Sequence, residues 1–226
     1  MNKYQSALRE VPLFSDFSAK ELKVLEQTAQ VRQYGKGDEI VHRSEEGDTF
    51  FSILEGKVKV ILTDDESKEY ILGVLRPKEF FGELALLDGE PRSATVVALE
   101  ETEVLALQRD DFLQQIKKHP ELCIKLMIVL GRRLRKANQS IESLAFKDVC
   151  GRLAEMILDL AESTGENKDE GILVPLEYSR TELAHQIGTT RETLTRALKT
   201  LQSMGNIQVK RKSLLITSEK GLRDRI

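Results

Sequence analysis

The sequence predicts an α+β chain in three parts: a strand-rich segment, a long helix, and a compact helical end closed by a basic hairpin. Three observations carry this. From about residue 30 to 107, short apolar runs are separated by Gly, Asp, Pro or Lys clusters, the pattern of a β-barrel or sandwich. After Asp110, apolar residues recur in alternating steps of four and three, which marks a helical seam. Beyond Ser179, two helical patterns flank a turn that contains Gly188. The expected segments are 1–109, 110–145 and 146–226. A chain of 226 residues with 40% apolar content has room for one or two such domains.

Taken in order, "SAKELKVLEQTA" (18–29) reads as a helix opened by Ser18 and Glu21 in capping-box spacing. The runs "VRQY", "EIVH", "TFFSIL", "KVKVIL", "EYILGVL", "SATVVAL" and "EVLAL" then read as strands, broken by "GKGDE", "EEGD" and "TDDES". In "KVKVIL", Lys57 and Lys59 alternate with Val58 and Val60, the period of a half-buried strand. From Asp110 to about Ser143 a single long helix is expected. Its seam runs through Cys123, Met127, Leu130, Leu134, Ala137, Ile141 and Leu144, a heptad pattern narrower than the stripe that covers a core. Two readings compete for such a seam, packing on its own barrel and pairing with the same helix of a second subunit, and its narrowness favours the second. "AFKDVCGRLAEMILDLAEST" reads as one amphipathic helix ending near Gly165, followed by a polar loop, "GENKDEG".

Composition narrows the function classes. The longest apolar runs, such as "LCIKLMIVL", are interrupted by Lys125 and fall short of the ~20 residues of a membrane span. "MNKYQSALREVPLF" lacks the apolar core of a secretory leader, so a cytoplasmic protein without membrane attachment is expected. Cys123 and Cys150 lie in apolar helical patterns and are expected as two buried thiols. With three scattered histidines and no CxxC or HExxH, no metal site is expected. No nucleophile–base pair or Walker-type loop points to an enzyme. The net charge of −3 conceals a split: residues 171–226 carry 10 Lys/Arg against 5 Asp/Glu, which leaves 24 against 32 for residues 1–170. A basic end of this kind suits a polyanionic partner.

"SRTELAHQIGTTRETLTRALKTLQSMG" (179–205) holds two capping-box patterns, Ser179 with Glu182 and Thr189 with Glu192, each opening a helix. Helix, tight turn and helix form a helix-turn-helix. In the second helix Leu194, Ala197, Leu198 and Leu201 form the inward face, while Glu192, Thr195, Arg196 and Lys199 point outward. Arg191 stands at the helix start, where recognition helices meet base edges. Arg191 and Arg196 can each donate two hydrogen bonds to guanine, and Glu192 can accept from cytosine. Glu192 has a second reading, in which it only closes its capping box. "NIQVKRKSLLIT" follows as a hairpin whose turn carries Lys210, Arg211 and Lys212. With Lys199, these suit phosphate contact on double-stranded DNA.

"RETLTR" after a helix-turn-helix, a long seam helix before it, and "FGELALLDGEPRSATV" (81–96) in the β-rich part together resemble the catabolite activator/FNR (CRP/FNR) superfamily of bacterial transcription regulators. The resemblance covers nearly the whole chain. It implies an N-terminal β-roll of the cyclic-nucleotide-binding type, a dimerisation helix within 110–145 and a C-terminal winged helix-turn-helix. It also implies that 81–96 is a phosphate-binding cassette for cyclic AMP, comprising Gly82, Glu83, Leu84, Ala85, Arg92 and Ser93. The chemistry suits those residues: Arg92 can fork onto a phosphodiester, with Ser93 adding a hydroxyl. Glu83 can accept from a ribose 2′-hydroxyl, and Gly82 lets backbone approach the ligand. The competing reading is that Glu83 and Arg92 pair with each other in an empty pocket. The family's adenine-contacting Thr-Ser pair falls here on Ala137 and Asn138, of which only Asn138 can hydrogen-bond a base.

The resemblance therefore implies a homodimeric, effector-gated regulator that binds a palindromic TGTGA-like operator and works with RNA polymerase. The alternative is a family member that responds to another small effector, haem included, or to none. No cysteine precedes Cys123, so the cysteine cluster of the FNR branch is missing. His42 and His119 lack any local pattern that would recommend them as haem ligands.

Overall fold

The computed structural model describes residues 8–226; the opening residues of the stretch read for a leader lie outside them. The chain divides into two compact units, with the division between Leu134 and Arg135.

In the first unit, a 3-10 turn (Pro12–Phe14) precedes α1 (Ala19–Thr28). Ser18 caps α1 as expected: its hydroxyl accepts from the Glu21 N–H, and the Glu21 carboxylate accepts from the Ser18 N–H at 2.6 Å. Eight strands follow: β1 (Gln30–Tyr34), β2 (Glu39–Val41), β3 (Thr49–Glu55), β4 (Val58–Thr63), β5 (Glu69–Leu75), β6 (Phe80–Phe81), β7 (Thr95–Ala98) and β8 (Thr102–Gln108), with a short helix, α2 (Glu83–Asp88), between β6 and β7. They form two antiparallel four-stranded sheets, ordered β1-β8-β3-β6 and β2-β7-β4-β5.

The central strands β3 and β8 are buried on both faces, which is why they read as continuous apolar runs rather than alternating ones. Phe51, Ile53, Val104 and Ala106 pack with Val58, Phe81 and Val96. Their neighbours Phe50, Leu54, Leu105 and Leu107 point the other way and pack with Phe14, Leu22, Phe112 and Leu122. One strand pair thus builds two layers of core, because successive side chains alternate across the sheet.

The helix expected from Asp110 to Ser143 is two helices, α3 (Arg109–Lys118) and α4 (Glu121–Phe146). Between them His119 adopts φ −129°, ψ 73°. Proline disfavours the helical region in the residue before it, so Pro120 explains the break. On α4, Leu122 and Leu126 enter the core of the first unit. The seam faces outward: Met127 is 62%, Leu134 63% and Ile141 65% exposed. Cys123 belongs to this exposed face and Cys150 is only partly covered, so neither is the buried thiol expected. The apolar residues beside Cys123 that do enter the core are Leu122 and Leu126.

In the second unit the expected helix over 145–164 is interrupted after Phe146. Asp148 starts a new helix, α5 (Val149–Thr164), accepting from the Gly151 N–H at 2.7 Å. The polar stretch expected as a loop forms a hairpin, β9 (Glu166–Lys168) and β10 (Gly171–Pro175). Then come α6 (Arg180–Gln186), α7 (Arg191–Ser203), β11 (Ile207–Val209), β12 (Ser213–Ile216) and α8 (Glu219–Arg223). The sheet order is β11-β12-β10-β9, so β10 extends the C-terminal hairpin. Leu153, Ala154 and Ile157 of α5 pack with Leu183, Leu194, Leu198 and Leu201 to form the core.

Candidate functional sites

The first site lies where β6 enters α2. Gly82 has φ +83°, and a Cβ there would lie 2.8 Å from the Thr49 carbonyl oxygen and 2.7 Å from Arg92 Nη1. Glycine meets both the dihedral and the space requirement. The backbone at Gly82 then offers its carbonyl to Arg92 Nη1 at 2.9 Å, and Thr49 offers its own to Nη2 at 2.8 Å. Arg92 is 6% exposed, and its Nε is buried without a hydrogen-bond partner among the described residues. Burial pulls this guanidinium below its usual pKa, a shift opposed by the charges of Glu45, Asp48 and Glu83. A buried cation bonded to two neutral carbonyls, with a third donor unsatisfied, is poised for an anion.

Glu83 is 2% exposed and ion-paired, but with Arg133 of α4 rather than with Arg92. Arg133 Nη1 donates to Glu83 Oε1 at 2.7 Å, and Nη2 donates to the Phe80 carbonyl. The guanidinium stands 5.0 Å from the centroid of the Phe80 ring. The competing reading of a Glu83–Arg92 pair is thereby replaced. Ala85 is buried, Leu84 is 40% exposed, and Ser93 is exposed beside Arg92. Asn138 lies on α4 in the second unit and is exposed. Sequence reasoning missed Arg133. Its partner is 50 residues away, beyond any local pattern.

Of the histidines weighed as haem ligands, His42 Nδ1 lies 2.9 Å from Glu39. His119 is held between Glu121 (3.1 Å) and Glu21 (3.4 Å) and packs on Phe17. Both its ring nitrogens therefore face carboxylates.

The second site is α6, the turn after it, and α7. Ser179 and Glu182 form the expected reciprocal cap on α6. For α7 the expected Thr189–Glu192 box is absent. Thr190 is the N-cap and accepts from the Thr193 N–H at 3.2 Å, while Thr189 is buried and donates its N–H to the Ala184 carbonyl. Glu192 thus has no capping-box partner and is exposed. Leu194, Ala197, Leu198 and Leu201 are buried as expected. Arg191, Thr195, Arg196 and Lys199 are exposed on the opposite face, with Arg196 Nη2 donating to Thr193 Oγ1 at 3.0 Å.

Lys210, Arg211 and Lys212 occupy the exposed turn between β11 and β12, closed by the Lys210 N–H donating to the Ser213 carbonyl. Arg180, which opens α6, escaped the sequence reading. Its Nη1 is buried without a hydrogen-bond partner among the described residues, and burial lowers its pKa. The available signal was its place directly after the Ser179 cap.

Two stretches of the chain match known families. Residues 31–119 match the cyclic nucleotide-binding domain family, and residues 151–225 match the Crp-like helix-turn-helix domain. The chain is 30% identical over 210 residues to a CRP-like cAMP-activated global transcriptional regulator of Mycobacterium tuberculosis, covering 93% of this chain and 94% of that one. It is 34% identical over 198 residues to the cyclic AMP receptor protein of Thermus thermophilus, covering 88% of each. A solved structure of a CooA mutant from Carboxydothermus hydrogenoformans superposes with a TM-score of 0.80 at 26% identity, covering 94% of both chains.

Proposed function

The chain belongs to the CRP/FNR family of DNA-binding transcription regulators, and from that premise we propose a homodimer gated by a cyclic nucleotide, cyclic AMP, that reads a palindromic TGTGA-like operator. In this reading 1–109 is the effector domain, 110–145 the dimerisation segment, and 146–226 the DNA-binding domain. Among the described residues no helix is long and apolar enough to cross a membrane. A cytoplasmic location and a contact with RNA polymerase complete the proposal.

The observation that carries the effector assignment is Arg92, a buried cation whose Nε donor has no partner among the described residues. A phosphodiester bound across Nε and one terminal nitrogen supplies that missing acceptor and exchanges a neutral carbonyl bond for a charge-assisted one. Glu83, fixed by Arg133 through one oxygen, remains able to accept from a ribose hydroxyl, because a carboxylate has about four acceptor positions. Leu84, Ala85 and Ser93 line the same cassette, and Asn138 replaces the family's base-contacting residue, which makes base preference a property to measure.

Dimer formation accounts for the exposed seam of α4, and two-fold symmetry then gives an operator with two half-sites one helical turn apart. Arg191 and Arg196 are assigned to guanine and Glu192 to cytosine; the Thr190 cap supports the last assignment by leaving Glu192 no capping role. Thr195 sits among them on the same exposed face. Lys199, Lys210, Arg211, Lys212 and Arg180 are assigned to phosphates. Calorimetric titration of the purified protein with cyclic AMP, with an Arg92→Ala control, tests the effector reading. Saturable binding that disappears in the control is expected. No binding by the wild type removes cyclic AMP and leaves the family's other course, a different small effector or none.

A further inference from the structure

Arg152, in the first turn of α5, reaches two helix ends at once. Its Nε donates to the Ile187 carbonyl at 2.8 Å, and its Nη1 donates to the Lys147 carbonyl at 2.8 Å. The third approach, Nη2 to the Gly188 carbonyl at 3.5 Å, is too long to add much. Lys147 directly follows α4, and its N–H closes the last turn on the Ser143 carbonyl. Ile187 is the C-cap of α6, and Gly188, with φ +62°, turns the chain toward α7. Both acceptors therefore sit at the C-terminal, partly negative end of a helix, where a cation is favoured and the last carbonyls lack helical donors.

The rest of the junction is fastened to α5 and to the C-terminal Arg225. Asp148 accepts from the Gly151 N–H and from Arg225 at 3.3 Å. Glu155 accepts from Ser143 at 2.6 Å and from Lys147 at 2.7 Å. Arg152 carries this set of bonds onward to the helix-turn-helix. Its planar fork holds its donors at fixed spacing, which a single flexible ammonium does not.

We propose that Arg152 is a positioning residue for DNA binding: it sets the angle of α7 against the last turns of α4, so that a rotation of α4 is passed to α7. The functional half of this statement rests on α7 being the recognition helix. The geometric half is measurable without DNA or effector, so failure of either is distinguishable.

The test is a pulsed electron-spin distance measurement in the full-length protein. Spin labels are placed at Gln139→Cys and Lys199→Cys, with Cys123→Ser and Cys150→Ala as background, diluted into unlabelled protein. With Arg152 present a single narrow distance distribution is expected. Arg152→Met, which keeps the aliphatic stem and loses every donor, is expected to broaden it at least twofold, and Arg152→Lys to fall between. Thermal unfolding is followed in parallel, because a merely stabilising role lowers the melting temperature and leaves the distribution of the folded protein unchanged. A wild-type distribution in folded Arg152→Met overturns the proposal. If that variant does not fold, Arg152→Lys decides: an intermediate width supports the assignment, and a wild-type width overturns it.

Discussion

Truncating Leu134 to alanine should weaken self-association while leaving the protomer intact. Leu134 lies at the middle of the seam and is 63% exposed in the single chain. Complete burial of a leucine side chain stabilises by about 1.5–3 kcal/mol, and roughly two-thirds of that burial is still to be made when the seam pairs. Each copy then contributes about 1–2 kcal/mol, and a symmetric dimer contains two copies, giving about 2–4 kcal/mol. At 1.4 kcal/mol per decade, the dimer dissociation constant should rise about 30- to 700-fold. Sedimentation equilibrium over a concentration series reads this directly, with urea unfolding of the protomer as the control. A dissociation constant within threefold of wild type would refute the placing of this seam in the interface.

Gly82→Ala forces a Cβ into a left-handed backbone 2.8 Å from the Thr49 carbonyl, so the first unit should lose about 1–2 kcal/mol of stability, seen as a lower urea midpoint. Thr190→Ala removes the cap of α7 and should cost about 1 kcal/mol; Glu192→Gln should cost less than half of that by the same unfolding assay, because it closes no box. Burial works against the ionised form of Glu155, but hydrogen bonds from Lys147 and Ser143 outweigh it and hold its pKa below the ordinary 4.5. A depressed folded-state value means that the stabilisation is complete above about pH 4.5 and is lost as the pH falls through the folded value. Urea midpoints taken from pH 7 down to 3 should show this loss for the wild type and a flatter profile for Glu155→Gln.

Elements with a period or a punctuation mark were legible in the sequence. The strands between "GKGDE", "EEGD" and "TDDES" stand where those turns place them. The inward face of α7 follows from helical spacing alone. What escaped depends on choices that sequence leaves degenerate. Two adjacent threonines precede α7, and the capping-box rule selected Thr189 because Glu192 lies three residues on; the chain caps with Thr190 although Thr193 offers no reciprocal acid. The β9–β10 hairpin is held by backbone pairing with residues so polar that they read as a loop. The seam outranked Pro120, so α3 and α4 were joined. At the candidate effector site the proposed residues lie within one short stretch, whereas the Glu83–Arg133 pair and the Thr49 carbonyl that receives Arg92 join distant segments. Such contacts exist only once the two sheets and α4 are assembled.

The central claim is that an effector held by the first unit controls DNA binding by the second. Fluorescence anisotropy of a labelled duplex carrying palindromic TGTGA half-sites, at fixed salt, with and without saturating cyclic AMP, tests it most directly. The account predicts operator affinity at least about fivefold higher with cyclic AMP, the lower end of typical coupling, and no such gain on a scrambled duplex. Equal operator affinity in both conditions would contradict it.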